Sequence, residues 1–242
     1  DSAFLQLRGH LTGSLTRVLG SNQWLETVNF YDNRYRSIKI VADNHKNGKD
    51  VIITAYKNQV SPLVTQTTSQ HTSDDYSGTL TIRENFTYDH MDRLLSQTHQ
   101  VNNGPEITLT DNTYNDLGEL TSKQVGNNAQ QVDYQYNIRG WLTSINGGAT
   151  ISGGDQFGMQ LDYESAGQFN GNIGNMSWHS LGGLNTNMQS YTYTYDPLNR
   201  LKSAVYFSPD KSGDFDVEHL NYDANGNIMS LLRKQNGAIL DS

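Results

Sequence analysis

The amino-acid sequence predicts an all-β protein made of tandem β-hairpins, and three observations carry this prediction. A pattern of tyrosine, Asp or Asn, two variable residues, a turn residue, a variable residue and Leu or Ile recurs along the 242-residue chain. The residues before each tyrosine alternate between aromatic and polar types, which is the period of a half-buried strand. Only 35% of the residues are hydrophobic, so the core must depend on aromatic side chains, among them 14 tyrosines.

Eight tyrosines mark the repeats, at a mean spacing of about 27 residues. The clear copies begin at Tyr88, Tyr114, Tyr136, Tyr195 and Tyr222. A weaker copy begins at Tyr31, and degenerate copies at Tyr56 and Tyr163 depend mainly on falling where the period places them. Such a series indicates units that bury apolar surface only against their neighbours, as in other repeat proteins.

Each copy is interpreted as a strand, a tight turn and a returning strand. Asp or Asn after the tyrosine hydrogen-bonds the backbone two residues on, and Gly, Asn or Asp three residues later tolerates positive φ. Leu or Ile two residues further on is expected to pack on the same face as the tyrosine. The predicted repeat residues are Tyr88, Asp89, Leu94, Tyr114, Gly118, Leu120, Tyr136, Gly140, Leu142, Tyr195, Asp196, Leu201, Tyr222, Asp223, Gly226 and Ile228.

Two early copies depart from the pattern. The copy at Tyr31 has Tyr35 where glycine is expected and Ser37 where an aliphatic residue is expected, which predicts a turn of different geometry. The copy at Tyr56 lacks the acidic residue and has Pro62 nearby. Because proline removes a backbone donor, it favours a sheet edge or a turn there.

Composition and motifs argue against several functions. The net charge of −8 comes without a basic cluster, which argues against a nucleic-acid partner. No apolar run approaches the roughly 20 residues that span a bilayer. The chain has no cysteine, and it contains no zinc-protease, nucleophile-elbow or phosphate-loop motif. The expectation is a protein that is not an enzyme and needs no cofactor.

Two weak candidate sites stand out. Asp214, Asp216 and Glu218 alternate, so on a strand they would share one face and could offer oxygen ligands to Ca²⁺. The alternative is a solvated acidic loop. Trp141 follows a predicted turn beside polar residues and could stack on a sugar, whereas the alternative is a packing role in the sheet.

The chain resembles the YD-repeat, or RHS, family, in particular the RHS-repeat regions of Bacteroidota surface and secreted proteins. The residues that carry the resemblance extend from about Arg8 to the end of the chain and include "RGHLTGSLTRVLGS", "FYDNRYRSI", "DYESAGQFNGNIGNMSW", "YTYTYDPLNRLKSA" and "NYDANGNIMSLLRK". The resemblance implies hairpins joined into one long curved antiparallel sheet, part of a spiral shell. On this interpretation residues 1–242 are a single repeat region of a longer protein.

The resemblance also implies a role. In polymorphic toxins and insecticidal toxin complexes such shells enclose a C-terminal toxic segment, and in teneurins they belong to cell-surface adhesion proteins. We expect a non-catalytic shell segment in a secreted or surface protein, whose partners are the remainder of its own polypeptide and a C-terminal effector. The resemblance allows a secretion-machinery or surface partner, and large Bacteroidota proteins of this type often leave by type IX secretion, although the sequence leaves the export route open. The alternative is an adhesion or carbohydrate-binding module with a glycan partner.

Overall fold

The computed structural model describes residues 7–148, 154–164, 167–182, 187–212, 214–235 and 237–241. Every regular element in these ranges is a β-strand. No helix in them is long and apolar enough to cross a membrane. The chain divides into two compact units, Asp1–Thr113 with Gln124–Ala129, and Tyr114–Lys123 with Gln130–Ser242. The prediction of an all-β fold of tandem antiparallel hairpins is confirmed.

The first unit is an antiparallel meander in which each strand pairs with the next along the chain. Short connections dictate this order, since a loop of a few residues can join only antiparallel neighbours. The strands are β1 (Gly13–Arg17), β2 (Trp24–Tyr31), β3 (Ser37–Asp43), β4 (Lys49–Tyr56), β5 (Val64–Ser73), β6 (Tyr76–Tyr88), β7 (Leu94–Val101) and β8 (Ile107–Tyr114).

The second unit is also a meander, with one short extra hairpin that places β16 and β17 both beside β15. The other strands pair with their chain neighbours. The strands are β9 (Leu120–Val125), β10 (Gln130–Tyr136), β11 (Leu142–Ile145), β12 (Phe157–Asp162), β13 (Asn175–Ser180), β14 (Gln189–Tyr195), β15 (Leu201–Ser208), β16 (Lys211–Ser212), β17 (Val217–Tyr222), β18 (Ile228–Gln235) and β19 (Ala238–Asp241).

The hairpins share one register. In most of them the repeat tyrosine pairs with the sixth residue after it, and the pairing shifts by a β-bulge just before the tyrosine. These pairs are Tyr31 with Ser37, Tyr88 with Leu94, Tyr136 with Leu142, Tyr195 with Leu201, and Tyr222 with Ile228. The aliphatic partners are half-buried except Ile228, which is 56% exposed. The common register means that one turn geometry recurs.

The buried hydrophobic residues of the described chain lie in the second unit, at Leu161, Ala204, Tyr206 and Leu220. Few aliphatic residues contribute, as the composition requires. The centre of this core is therefore aromatic.

The aromatic cluster comprises Trp178, Tyr191, Tyr206 and Phe215. The ring of Tyr191 lies 5.7 Å from that of Trp178 and 5.3 Å from that of Tyr206, and the Tyr206 ring meets Phe215 edge-on at 5.4 Å. The buried Tyr206 hydroxyl donates to Gln189 Oε1 at 2.8 Å. The cluster thus combines a large apolar area with a satisfied polar group.

Candidate functional site: the YD turns

The candidate site is the series of turns that follow the repeat tyrosines, which we call YD turns, with positions numbered from the residue after the tyrosine. In the turn after Tyr195, the Asp196 amide donates to the Arg200 carbonyl and the Asn199 amide to the Asp196 carbonyl, both at 2.9 Å. Asp196 Oδ1 accepts from the amides of Leu198 and Arg200 at 2.8 and 2.9 Å. One carboxylate therefore holds the whole turn.

The same set of bonds forms in five other turns, at residues 32–36, 89–93, 115–119, 137–141 and 223–227. In all six, position 4 adopts the left-handed conformation. These residues are Tyr35, Asp92, Gly118, Gly140, Asn199 and Gly226, with φ between 62° and 87°. The positive φ predicted for Gly, Asn or Asp at position 4 agrees with this geometry.

The turn after Tyr31 was predicted to differ, and that prediction is wrong. Tyr35 has a φ of 63°, and Asp32 Oδ1 accepts from the amides of Arg34 and Arg36 as in the other turns. The ring of His10 stacks on Tyr35 at 4.5 Å and supports this conformation, which is uncommon for a bulky residue. The side-chain oxygen at position 1, which Asp or Asn supplies, decides the geometry rather than the residue at position 4.

The two degenerate copies keep the tyrosine but have longer connections. Tyr56 pairs with Val64, and the Lys57 amide donates to the Leu63 carbonyl at 2.9 Å. After Tyr163 the chain runs to β13 through residues 164–174, of which 165 and 166 lie outside the described residues. The repeat therefore tolerates insertions in the turn while the tyrosine stays in place.

Position 5 is matched chemically to position 1. In three of the four turns with Asp at position 1, Arg forms an ion pair with it at 2.6 Å, as in Asp32–Arg36, Asp89–Arg93 and Asp196–Arg200. In the fourth, the Asn227 side-chain amide donates to the Asp223 carboxylate at 2.8 Å. Where position 1 is Asn115, its amide donates to the Glu119 carboxylate at 2.7 Å. Sequence reasoning missed these pairs, although Asp with Arg and Asn with Glu four residues apart are visible in the sequence.

Exchanging one pair for the other tests this matching. We expect Arg200→Glu alone to lower the urea midpoint, because it places two carboxylates together. Asp196→Asn with Arg200→Glu should regain part of the loss, because it recreates the Asn115–Glu119 pair. If the change in urea midpoint of the double variant equals the sum of the changes in the two single variants, the proposed pairing is contradicted.

The YD turns also predict acid sensitivity. The Arg200 amide lowers the pKa of Asp196; burial acts the opposite way, and the Arg200 guanidinium and the Leu198 amide add to the lowering. A carboxyl with a depressed folded-state pKa stabilises the fold above its unfolded value of about 3.9, and this contribution is lost as pH falls through the folded pKa.

We therefore expect the urea midpoint to fall as the pH drops below about 4. Asp196→Asn should start from a lower midpoint at neutral pH and show a shallower fall. Urea titrations of both proteins between about pH 3 and pH 7 measure the difference. Parallel curves for the two proteins would be evidence against the linkage.

At seven of the eight repeat tyrosines, the side chain joins its hairpin to the one before it. The tyrosine hydroxyl donates to a main-chain carbonyl at, or two residues before, the start of the preceding return strand, a contact that we call the tyrosine bridge. Burial raises the pKa of Tyr163 and Tyr195, so both phenols stay protonated donors. The bridges run from Tyr31 to Leu11, Tyr56 to Ser37, Tyr88 to Val64, Tyr136 to Leu120, Tyr163 to Leu142, Tyr195 to Ile173 and Tyr222 to Leu201, at 2.7–3.0 Å.

The residue at position 5 covers the tyrosine ring of the next repeat. The guanidinium of Arg36 lies 4.3 Å from the Tyr56 ring centroid, and that of Arg200 lies 4.5 Å from the Tyr222 centroid. Arg200 Nη1 also donates to the Asp223 carbonyl at 3.3 Å. One side chain thus closes its own turn and holds the next.

Trp141 is the position 5 residue of its repeat and occupies the same place. The Trp141 ring lies 5.1 Å from the Tyr163 ring. The Arg139 guanidinium lies 5.0 Å from the Trp141 ring centroid and makes a cation–π contact with it. The backbone of Gly171 approaches so closely that a Cβ there would lie 3.1 Å from the indole. The structure therefore places Trp141 in a packing position, half-buried among these groups.

The sequence reasoning missed the end of a further repeat, at residues 7–11, which precedes the copy at Tyr31. The Leu11 carbonyl accepts the Tyr31 bridge, and His10 lies 5.4 Å from the Tyr31 ring, as a position 5 residue does. Gly9 has a φ of 87°. The signal was available, since "LRGHL" aligns with "IRGWL" of the copy at Tyr136.

Only Glu218 of the three candidate acidic residues lies in a strand, since β17 begins at Val217. Asp216 Oδ1 accepts from the Tyr206 amide at 2.7 Å. Lys234 Nζ lies 2.8 Å from Glu218 Oε2 and 3.9 Å from Asp216 Oδ2. These two carboxylates are thus paired with a lysine.

Asp214 points to a different partner. Its Oδ1 accepts from the Gly237 amide at 3.0 Å, and the residue itself is 6% exposed. Within the described ranges, no group of three or more His, Cys, Asp or Glu side chains is arranged to hold a metal ion. The three carboxylates serve as backbone acceptors and ion-pair partners in the structure.

No protein-family model matches the chain, and no curated protein matches it. Among solved structures, the chain is similar to the Photorhabdus luminescens Tc holotoxin pore, at 13% identity and a TM-score of 0.21, over 87% of this chain and 15% of that chain. The chain thus spans a small part of that toxin chain. These comparisons do not assign the chain to a family.

Proposed function

We propose that the chain is a non-catalytic structural segment of an RHS-type shell in a secreted or cell-surface protein, and that this shell encloses or carries a C-terminal effector. The tyrosine bridge is the observation that carries the proposal. Through it each hairpin is fastened to its predecessor by a side-chain bond to the main chain, besides the strand pairing. A shell built from hairpins needs stabilising contacts of this kind between neighbouring hairpins.

An isolated hairpin is marginal in water, so each must gain stability from its neighbours. The repeat supplies this at the turn end, where the tyrosine ring is covered and its hydroxyl is bonded. Turn carboxylates such as Asp89 and Asp196 are committed to amides and arginines. This use of the polar side chains supports a structural role.

A second candidate is a glycan-binding adhesion module, which one feature of the first unit favours. Gln66 Nε2 donates to Asn85 Oδ1 at 2.8 Å, and Asn85 Nδ2 donates to Thr98 Oγ1 at 3.2 Å and to Glu106 Oε1 at 2.7 Å. This row of amide, hydroxyl and carboxylate groups is chemistry that a hydroxyl-rich ligand can match.

Protease protection of the full-length parent protein tests the shell proposal. We expect its C-terminal segment, followed by a tag-specific antibody, to resist digestion until the shell is denatured. Tyr195→Phe with Tyr222→Phe removes two bridges and should shorten the protection time. The matched control is Tyr193→Phe, which removes a hydroxyl outside the bridges from the same strand as Tyr195. A segment digested at once, while the repeats survive, would sink the proposal and direct attention to glycan binding.

A further inference from the structure

A row of exposed apolar side chains lies along the YD turns of the second unit. Because successive strands alternate in direction, the turns at 115–119, 137–141 and 196–200 and residues 167–174 all lie at the same end of the strands. We call the row the apolar turn row. Its members are Leu117, Ile138, Phe169 and Leu198, which are 81%, 101%, 67% and 71% exposed.

The row is held in place by bonds between neighbouring turns. Arg139 Nη1 donates to the Phe169 carbonyl at 2.9 Å and lies 3.3 Å from Glu164 Oε1. Asn170 Nδ2 donates to Asn199 Oδ1 at 2.5 Å. Turns tied together in this way present their apolar tips without a large ordering cost on binding.

The polar groups at this end of the strands serve the turns themselves. Asp196 and Arg200 pair with each other, as do Asn115 and Glu119. At the opposite end of the strands, residues 146–148 read Asn-Gly-Gly, and the apolar residues Leu181 and Met188 are 47% and 45% exposed, less than any member of the row. The end of the strands that carries the YD turns therefore favours a partner that binds by apolar contact. It is less suited to a sugar, which would bind through hydrogen bonds.

The spacing of the row indicates what kind of partner fits. Neighbouring turns at one end of a meander are two strands apart, which is about 10 Å. Seven residues of an α-helix rise about 10.5 Å, so side chains one heptad apart on a helix have nearly the same spacing as neighbouring turns. The carboxylates in and beside these turns outnumber the guanidinium groups by four to two, which favours a basic partner: Asp116, Glu119, Glu164 and Asp196 against Arg139 and Arg200.

We propose that the apolar turn row docks an amphipathic helix with an aliphatic residue at every seventh position and a basic polar face. The apolar side chains supply the anchors, and the charge attracts the helix before contact. This interaction does not depend on whether the repeats enclose an effector. It also assigns a role to side chains that the turn geometry does not need.

A designed peptide tests the proposal. The probe is a fluorescein-labelled helix of about four heptads, with leucine at the repeating positions and lysine on the polar face. The control peptide has the same composition, with the leucines redistributed so that no stripe forms. We expect fluorescence anisotropy to show saturable binding of the striped peptide by the 242-residue chain, and at least tenfold weaker binding of the control peptide.

Variants of the chain locate the site. Leu117→Asn, Ile138→Asn and Leu198→Asn together should weaken binding of the striped peptide at least tenfold. The matched control is Val205→Asn with Met229→Asn, which alters exposed side chains on strands of the same unit and should leave binding unchanged. Circular dichroism establishes that each variant folds, and Ile138→Asn alone serves if the triple variant does not. Equal binding of both peptides, no binding, or no loss in the turn variants would overturn the proposal.

Discussion

Replacing Tyr206 by alanine is expected to lower the free energy of unfolding by about 3–5 kcal/mol, the usual loss for a large aromatic residue removed from a core. Tyr206 is 5% exposed and contacts Tyr191 and Phe215 at the centre of the aromatic cluster. Few aliphatic residues are buried nearby to fill the space. The cavity would therefore remain, and its cost would add to the lost apolar burial.

Two further substitutions separate the ring from the hydroxyl. Tyr206→Phe keeps the ring and loses only the bond to Gln189, so we expect a loss of about 1 kcal/mol. Phe207→Ala alters the adjacent side chain, which is 51% exposed, and should cost clearly less than Tyr206→Ala. Urea denaturation followed by tryptophan fluorescence measures all three. An equal loss for Phe207→Ala and Tyr206→Ala would contradict an aromatic core.

Replacing Asp216 by alanine is expected to cost about 2–3 kcal/mol, because it leaves a buried backbone amide without an acceptor. Asp216 is 4% exposed, and its carboxylate accepts from the Tyr206 amide at 2.7 Å. Lys234 would also lose one of its two carboxylate neighbours. The effect comes from the amide that stays unsatisfied rather than from the ion pair alone.

Asp216→Asn provides the matched control, since its amide oxygen still accepts from the Tyr206 amide. We expect this variant to lose much less stability than Asp216→Ala in the same urea measurement. The pair of variants also bears on the calcium prediction. If Ca²⁺ raised the unfolding midpoint of the wild type and not that of Asp216→Asn, the carboxylates would be metal ligands, and the ion-pair account would fail.

The parts of the fold that the sequence predicts are the local ones. A tyrosine, a following Asp and a glycine at position 4 act within seven residues, so a strand and its turn can be recognised from residue types alone. The same locality explains the error at Tyr35. Residue type at position 4 suggested a different turn, but two amide bonds to Asp32 outweigh the conformational cost of a left-handed tyrosine.

The contacts between repeats were not predictable in the same way. The tyrosine bridge joins residues about 20 positions apart, such as Tyr222 and Leu201, and its acceptor is a carbonyl that any residue carries. The role of Trp141 likewise depends on Tyr163 in the next repeat. The partner of Asp216 was not predictable either, because no residue near it in the sequence indicates that the Tyr206 amide, ten positions earlier, is its donor.

The tyrosine bridges all point the same way, from a later repeat to an earlier one. For a chain made or exported with its N-terminus first, every new hairpin finds its acceptor carbonyl already in position. The hairpin needs nothing that follows it in order to dock. Each repeat can therefore dock on the preceding one as it leaves the ribosome, before the repeats that follow are made.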